Sequence, residues 1–131
     1  MFEICVEHTF AAGHALRNYH GKCENVHGHN YRVQVAMEGP ELNQTGLLHD
    51  FSDLKKRLRA TTEYLDHQFI NDLKPFDEMN PSAENIAKFI YDEIQKDLDG
   101  ASLSYVRVWE TDTSCATYRP LRKALQPQSE P

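Results

Sequence analysis

From residue 2 to residue 10 the chain alternates, with Phe2, Ile4, Val6 and Phe10 apolar on one parity, the two-residue period of a half-buried strand. Residues 31–37 repeat the pattern through Tyr31, Val33, Val35 and Met37 until Glu38, Gly39 and Pro40 end it. These two strands are expected to be antiparallel neighbours joined by the segment 15–26. The period then lengthens. Phe51, Leu54, Leu58 and Leu65 fall at helical spacing, with Ser52 or Asp53 placed to cap the start. A second helix is predicted with Asn80 as its cap and Pro81 in its first turn. Its apolar stripe of Ile86, Phe89, Ile90, Ile94 and Leu98 runs as far as Gly100. The stretch 103–110, LSYVRVWE, is rich in β-branched and aromatic residues, and a short strand around 115–119 is placed to pair with it.

Two strands, two helices and two strands in that order predict an α+β domain, a four-stranded antiparallel sheet with two helices on one face. The other face must be polar or packed against another subunit. The 131 residues suffice for one domain, expected over 1–120, with 121–131 as a loose C-terminal tail. A formal charge of −6 leaves no general basic field for a nucleic-acid backbone, and the run Lys55, Lys56, Arg57 and Arg59 reads as a solvated helix face. No apolar run reaches membrane-spanning length, and residues 1–7 have no basic segment followed by an apolar core. Three cysteines without a C-x-x-C pair fit reduced thiols, so a cytoplasmic protein is expected.

The string CENVHGH, residues 23–29, carries the most chemistry. His27 and His29 project from one face of a predicted strand with Cα atoms roughly 6.5 Å apart, a reach that clasps one ion. Gly28 between them permits close approach of backbone or substrate. His14, near the end of the first strand, faces the start of the second. Three neutral imidazoles with a fourth position open is the arrangement of a catalytic zinc site, whereas structural sites are closed by four protein ligands. A lone histidine is far more often packed or at the surface, and His8, His20 and His49 are read that way. H-x-H alone is moderate evidence, and its weight comes from convergence with His14 and Cys23.

FAAGHAL (10–16), CENVHGHNY (23–31), GLLHDFSDLK (46–55), LDHQFIN (65–71), NPSAENIA (80–87) and VWET (108–111) occur in an order and spacing that resembles the 6-pyruvoyl-tetrahydropterin synthase / 6-carboxytetrahydropterin synthase family. The resemblance covers about residues 2–119, nearly the whole chain. It implies the T-fold, whose subunits assemble so that their sheets form a barrel with active sites at the interfaces. A homo-oligomer is expected, a hexamer built as a dimer of trimers, and the implied substrate is 7,8-dihydroneopterin triphosphate. The resemblance implies Zn2+ on His14, His27 and His29, Cys23 as the catalytic thiol, and Asp66 with His67 as a proton relay. It further implies that Glu110 anchors the pterin ring and that Ser82 lies at a substrate-binding position.

A carboxylate at the end of an apolar strand is costly to bury unpaired, and facing the amino group and ring N–H of a pterin would resolve that cost. The spacing C-x-x-x-HGH resembles the 6-carboxytetrahydropterin synthases of queuosine biosynthesis, the 6-pyruvoyl enzymes typically having two more residues there. Glu24 matches the base of a folate-pathway branch that gives 6-hydroxymethyl-dihydropterin. A dual-function enzyme and a solvated loop carboxylate at this position weigh equally. Gly13 stands where many relatives have Ala, and Ser82 where Thr is usual, both conservative in size. Two rival readings account for less. A non-catalytic zinc- or pterin-binding module leaves Cys23, Asp66 and His67 unexplained together, and acyl transfer by Cys23 with His67 leaves three metal-spaced histidines idle.

Overall fold

The computed structural model describes residues 1–18 and 25–121. Strand β1 (Phe2–His14) pairs antiparallel with β2 (His27–Gly39), helices α1 (Phe51–Glu63) and α2 (Ala83–Gln95) follow, and β3 (Leu103–Thr111) and β4 (Ser114–Tyr118) close the chain. The four strands lie side by side in chain order, every neighbouring pair antiparallel. Leu54 and Leu58 of α1 and Ile86, Ile90 and Ile94 of α2 join Val6, Phe10, Val33, Val35, Val106 and Val108 in one core. Both helices therefore cover the same sheet face, as the alternation predicts.

The strands run further than their apolar residues indicate. β1 continues through Ala12 to His14, and β2 starts at His27 rather than Tyr31. The two-residue period is unbroken, but histidines occupy the inward positions where the pattern would have apolar residues. The helix starts also differ. Asp50, not Ser52 or Asp53, caps α1, its carboxylate accepting the Ser52 N–H at 2.8 Å. Ser82, not Asn80, caps α2, its hydroxyl accepting the Asn85 N–H at 3.1 Å. Leu65 and Leu98 are buried beyond the last helical residues, because the chain turns back into the core after each helix. The β2–β3 register shifts between Ala36 and Met37, and Ala36, Met37, Tyr105 and Val106 are all buried.

The open sheet face is polar and stacked. The Arg32 guanidinium lies 3.7 Å from the Trp109 ring centroid, and those of Arg107 and Arg119 each lie 4.7 Å from Tyr105. Cys5 and Cys115 are exposed free thiols that fill no core. Lys55, Lys56 and Arg59 point to solvent, while Arg57 pairs with Asp53 at 2.9 Å. Among the described residues no helix is long and apolar enough to cross a membrane.

Candidate metal centre

The register pairs His14 directly with His27, and His29 follows two residues along β2 on the same face. All three therefore enter at one end of the sheet on its helix-covered side. His14 is 1% exposed, so its ring is a core residue as well as a candidate ligand. Its Nδ1 lies 2.7 Å from the Pro81 carbonyl, and His27 Nδ1 lies 2.7 Å from the Asn25 carbonyl. A carbonyl only accepts, so each Nδ1 carries the proton and each neutral ring keeps a lone pair on Nε2.

Those two Nε2 atoms are 2.9 Å apart. A hydrogen bond between them would need one ring doubly protonated, and burial opposes that for His14. Two lone pairs aimed at the same point instead suit a shared cation, each nitrogen within reach of one ion at about 2.0–2.1 Å. His29 Nε2 completes the set. It lies 3.2 Å from Glu110 Oε1 without the alignment of a hydrogen bond, and it is a buried polar atom with no hydrogen-bond partner. The nearest side-chain oxygens and nitrogens of His14, His27, His29 and Glu110 all fall within 4.8 Å of one another.

Glu110 continues the inward parity of Val106 and Val108 and so reaches this cluster at the end of β3. Trp109 pairs with Cys115 and Thr111 with Ser114, so Glu110 is the extra residue where the β3–β4 register shifts. Burial holds the His14 imidazole below the ordinary histidine range, against the Pro81 hydrogen bond and the Glu110 charge, and burial likewise lowers His29. Both are therefore neutral and ready to donate at neutral pH.

That depression predicts a pH dependence. The unfolded chain takes up protons at these positions as pH falls through 6.5 and the native chain resists, so stability present above that value is lost below it. The metal-free protein should show a falling urea midpoint between about pH 7 and pH 5. The low-lying carboxylates Asp53 and Asp66 act in a separate window, below 3.8. A flat midpoint over the upper window would contradict the assignment.

The Asp66–His67 pair sits apart from the four-residue cluster. The segment containing it runs along the outer edge of β1, with the Gly13 N–H donating to the Gln68 carbonyl at 3.0 Å and the His67 N–H to Ala11 at 2.6 Å. Asp66 accepts the Ala11 N–H at 3.0 Å and lies 3.0 Å from His67 Nδ1, so adjacent residues do meet here. The backbone bond to Ala11, and then His67, hold the Asp66 carboxyl below its usual range. The geometry that lets them meet is a positive φ of 58° at His67, whose side chain is 81% exposed. A hollow of about 570 Å³ is lined by Gly13, Gly28, His29, Asn30 and His67, which places the His67 imidazole and one imidazole of the histidine cluster on the same space.

Ser82 uses its hydroxyl as the α2 cap. Cys23, Glu24 and His20 lie outside the described residues, as does the expected tail from residue 122. His49 is bound to Asp53 at 2.6 Å and His8 stays in β1, neither near the cluster. Asn80 and Pro81, expected as helix cap and first-turn residue, and Asn71, for which no role was expected, bind groups beside the cluster: Asn71 holds Ala15, Asn80 holds Arg17 and the Pro81 carbonyl holds His14. An Ala at position 13 would fit without strain, since a Cβ there would meet His27 O at 3.5 Å, an ordinary contact.

Residues 3–121 match the protein family described as 6-pyruvoyl tetrahydropterin synthase. The chain belongs to this family. It is 34% identical to the 6-carboxy-5,6,7,8-tetrahydropterin synthase of Haemophilus influenzae, over 91% of this chain and 99% of that protein. It is 38% identical to the human 6-pyruvoyl tetrahydrobiopterin synthase, over 76% of this chain and 71% of that one. The structure of the Caenorhabditis elegans 6-pyruvoyl tetrahydropterin synthase superposes with a TM-score of 0.81 at 27% identity, covering 92% of this chain and 98% of that one. The fold is thus the T-fold of the tetrahydropterin synthases, and the histidine cluster belongs to a family member rather than to a chance arrangement. Identity alone does not separate the carboxy and pyruvoyl activities, since relatives of both names are similarly close.

Proposed function

We propose that the chain is a zinc-dependent 6-carboxy-5,6,7,8-tetrahydropterin synthase, converting 7,8-dihydroneopterin triphosphate to 6-carboxytetrahydropterin with loss of acetaldehyde and triphosphate. The observation that carries the proposal is the pair of carbonyl-locked histidines with converging Nε2 atoms beside His29 and Glu110. The carboxy product is favoured by the three residues between Cys23 and His27 and by the name of the Haemophilus relative. Queuosine biosynthesis is the pathway this product serves, in the cytoplasm. The active form is a homo-oligomer, a hexamer arranged as a dimer of trimers.

His14, His27 and His29 hold the zinc, which supplies Lewis acidity toward the hydroxyls of the substrate side chain. Cys23 takes protons from that side chain as base, a thiol of ordinary pKa about 8.5 that acts as its thiolate. Asp66 accepts from His67 Nδ1, which leaves Nε2 free to pass protons. Glu110 receives the pterin amino group and ring N–H in two charge-assisted hydrogen bonds. Incubation of the zinc-loaded protein with 7,8-dihydroneopterin triphosphate, and separately with dihydroneopterin, should yield the carboxytetrahydropterin from the triphosphate by mass spectrometry. Cys23→Ala should keep its zinc and lose the product. Added 6-hydroxymethyl-dihydropterin that disappears in Glu24→Ala would give Glu24 a second activity, and no turnover at full zinc loading would reduce the chain to a binding module.

A further inference from the structure

Two motif asparagines have partners that the reaction chemistry does not call for. Asn71 Oδ1 accepts the Ala15 N–H at 2.9 Å while its Nδ2 donates to the Ala15 carbonyl at 2.8 Å. Asn80 repeats the arrangement two residues on, accepting the Arg17 N–H at 2.8 Å and donating to the Arg17 carbonyl at 2.9 Å. Each amide thus replaces the rung that a neighbouring strand would supply to the chain leaving β1. The Arg17 side chain ties the same elements from the other side, donating to the carbonyls of Met79 at 3.2 Å, Asn71 at 3.3 Å and Phe76 at 2.8 Å. The Asn80 carbonyl is itself held by Asn85 Nδ2 at 2.8 Å.

The residue between the Asn80 clamp and the Ser82 cap is Pro81. The first helical rung of α2 goes from Ile86 N–H to the Ser82 carbonyl, and the Asn85 N–H is taken by the Ser82 hydroxyl. The Pro81 carbonyl is therefore left out of the helix ladder and accepts His14 Nδ1–H at 2.7 Å. A carbonyl partner on one ring nitrogen sets which nitrogen is free to bind metal, and removing such outer partners commonly weakens metal affinity about 10- to 100-fold.

We infer that Asn80 is a positioning residue: by clamping the Arg17 backbone it fixes the Pro81 carbonyl that holds His14 in the tautomer with Nε2 free for the ion. The inference rests on the metal-centre reading above, and the experiment separates the two. Asn71 still holds Ala15 when Asn80 is replaced, so the stem of β1 stays attached in Asn80→Ala. His27 is an internal control, because its carbonyl partner belongs to Asn25 and not to the clamp.

Full-length wild type, Asn80→Ala and the isosteric Asn80→Asp, which keeps the acceptor for Arg17 N–H and loses the donor, are compared in two ways. Nitrogen-15 imidazole NMR of the metal-free proteins at about pH 8, where histidine is neutral, should show wild-type His14 as a single Nδ1–H tautomer. Asn80→Ala should mix the two tautomers at His14 alone, with Asn80→Asp shifting in the same direction if the alanine variant does not fold. Competition with a chelator should show Zn2+ affinity lowered about tenfold or more. A folded variant with His14 still in one tautomer, or a change shared equally by His27, would overturn the inference. Unchanged zinc affinity in a folded variant would overturn it too, with the metal centre standing. If wild type took up no zinc while His14 responded to Asn80 as described, the metal reading would fail and the clamp would remain.

Discussion

His27→Ala is expected to lower the affinity for Zn2+ by about a hundredfold or more without unfolding the metal-free chain. Zinc binding to a structural site of four protein ligands amounts to about 10–16 kcal/mol, so one ligand's share is roughly 3 kcal/mol. Of the candidate ligands, His27 is the one whose loss can be read most cleanly. It is half-buried at the first position of β2, and its removal also relieves two nitrogen lone pairs 2.9 Å apart. His14→Ala would confuse the measurement, because it would excise a ring 1% exposed and leave a cavity in the core, at a cost of about 2–4 kcal/mol. Chelator competition gives the affinity, and urea denaturation of the metal-free protein gives the stability. Equal affinity in His27→Ala and wild type would mean that the ion is held elsewhere. A lowered affinity with an unchanged denaturation midpoint assigns the lone pair of His27 to the metal alone.

The sheet and the helix-covered face were legible because alternation needs only one inward residue in two, and Val33, Val35, Val106 and Val108 supply it. The ends were less legible for a physical reason. His14, His27 and His29 continue the inward parity, but an imidazole counts as polar in a hydrophobicity pattern, so the apolar alternation alone stops four residues short and only the histidine spacing carries the strands to their ends. Helix caps were misplaced because several cap-forming residues lie close together, and Asp53 and Asn80 are engaged by partners distant in sequence or a turn away. The histidine pairing could be inferred from a hairpin with HGH at the start of its second strand. The carbonyls of Asn25 and Pro81 that set the tautomers could not, since backbone acceptors have no signature in residue type. Glu110, by contrast, continues the inward parity of Val106 and Val108, so only the register shift beside it, which depends on how β4 meets β3, has no such signature.

Glu110 is placed where two roles compete, and the largest expected effect on turnover separates them. Its Oε1 lies 3.2 Å from His29 Nε2, close enough for the carboxylate to share the ion with the histidines. If its work is to hold the pterin, Glu110→Ala should remove two charge-assisted hydrogen bonds. At about 1.5–3 kcal/mol each, kcat/KM should fall by roughly 10²- to 10⁴-fold. Zinc content should stay at one ion per chain. Glu110→Gln keeps the shape and one acceptor but replaces the second with an N–H that faces the donors of the ring. Its loss should therefore approach that of the alanine variant despite the smaller change in volume. If the carboxylate is instead a metal ligand, both variants should lose zinc affinity by a factor comparable to that in His27→Ala. A Co2+-substituted protein should then change its visible spectrum on substitution at 110 before any pterin is added. The anchor role predicts a spectrum that responds to pterin and not to the substitution alone. The open face of a three-histidine centre is what a substrate needs, so retention of zinc with loss of turnover is the result expected.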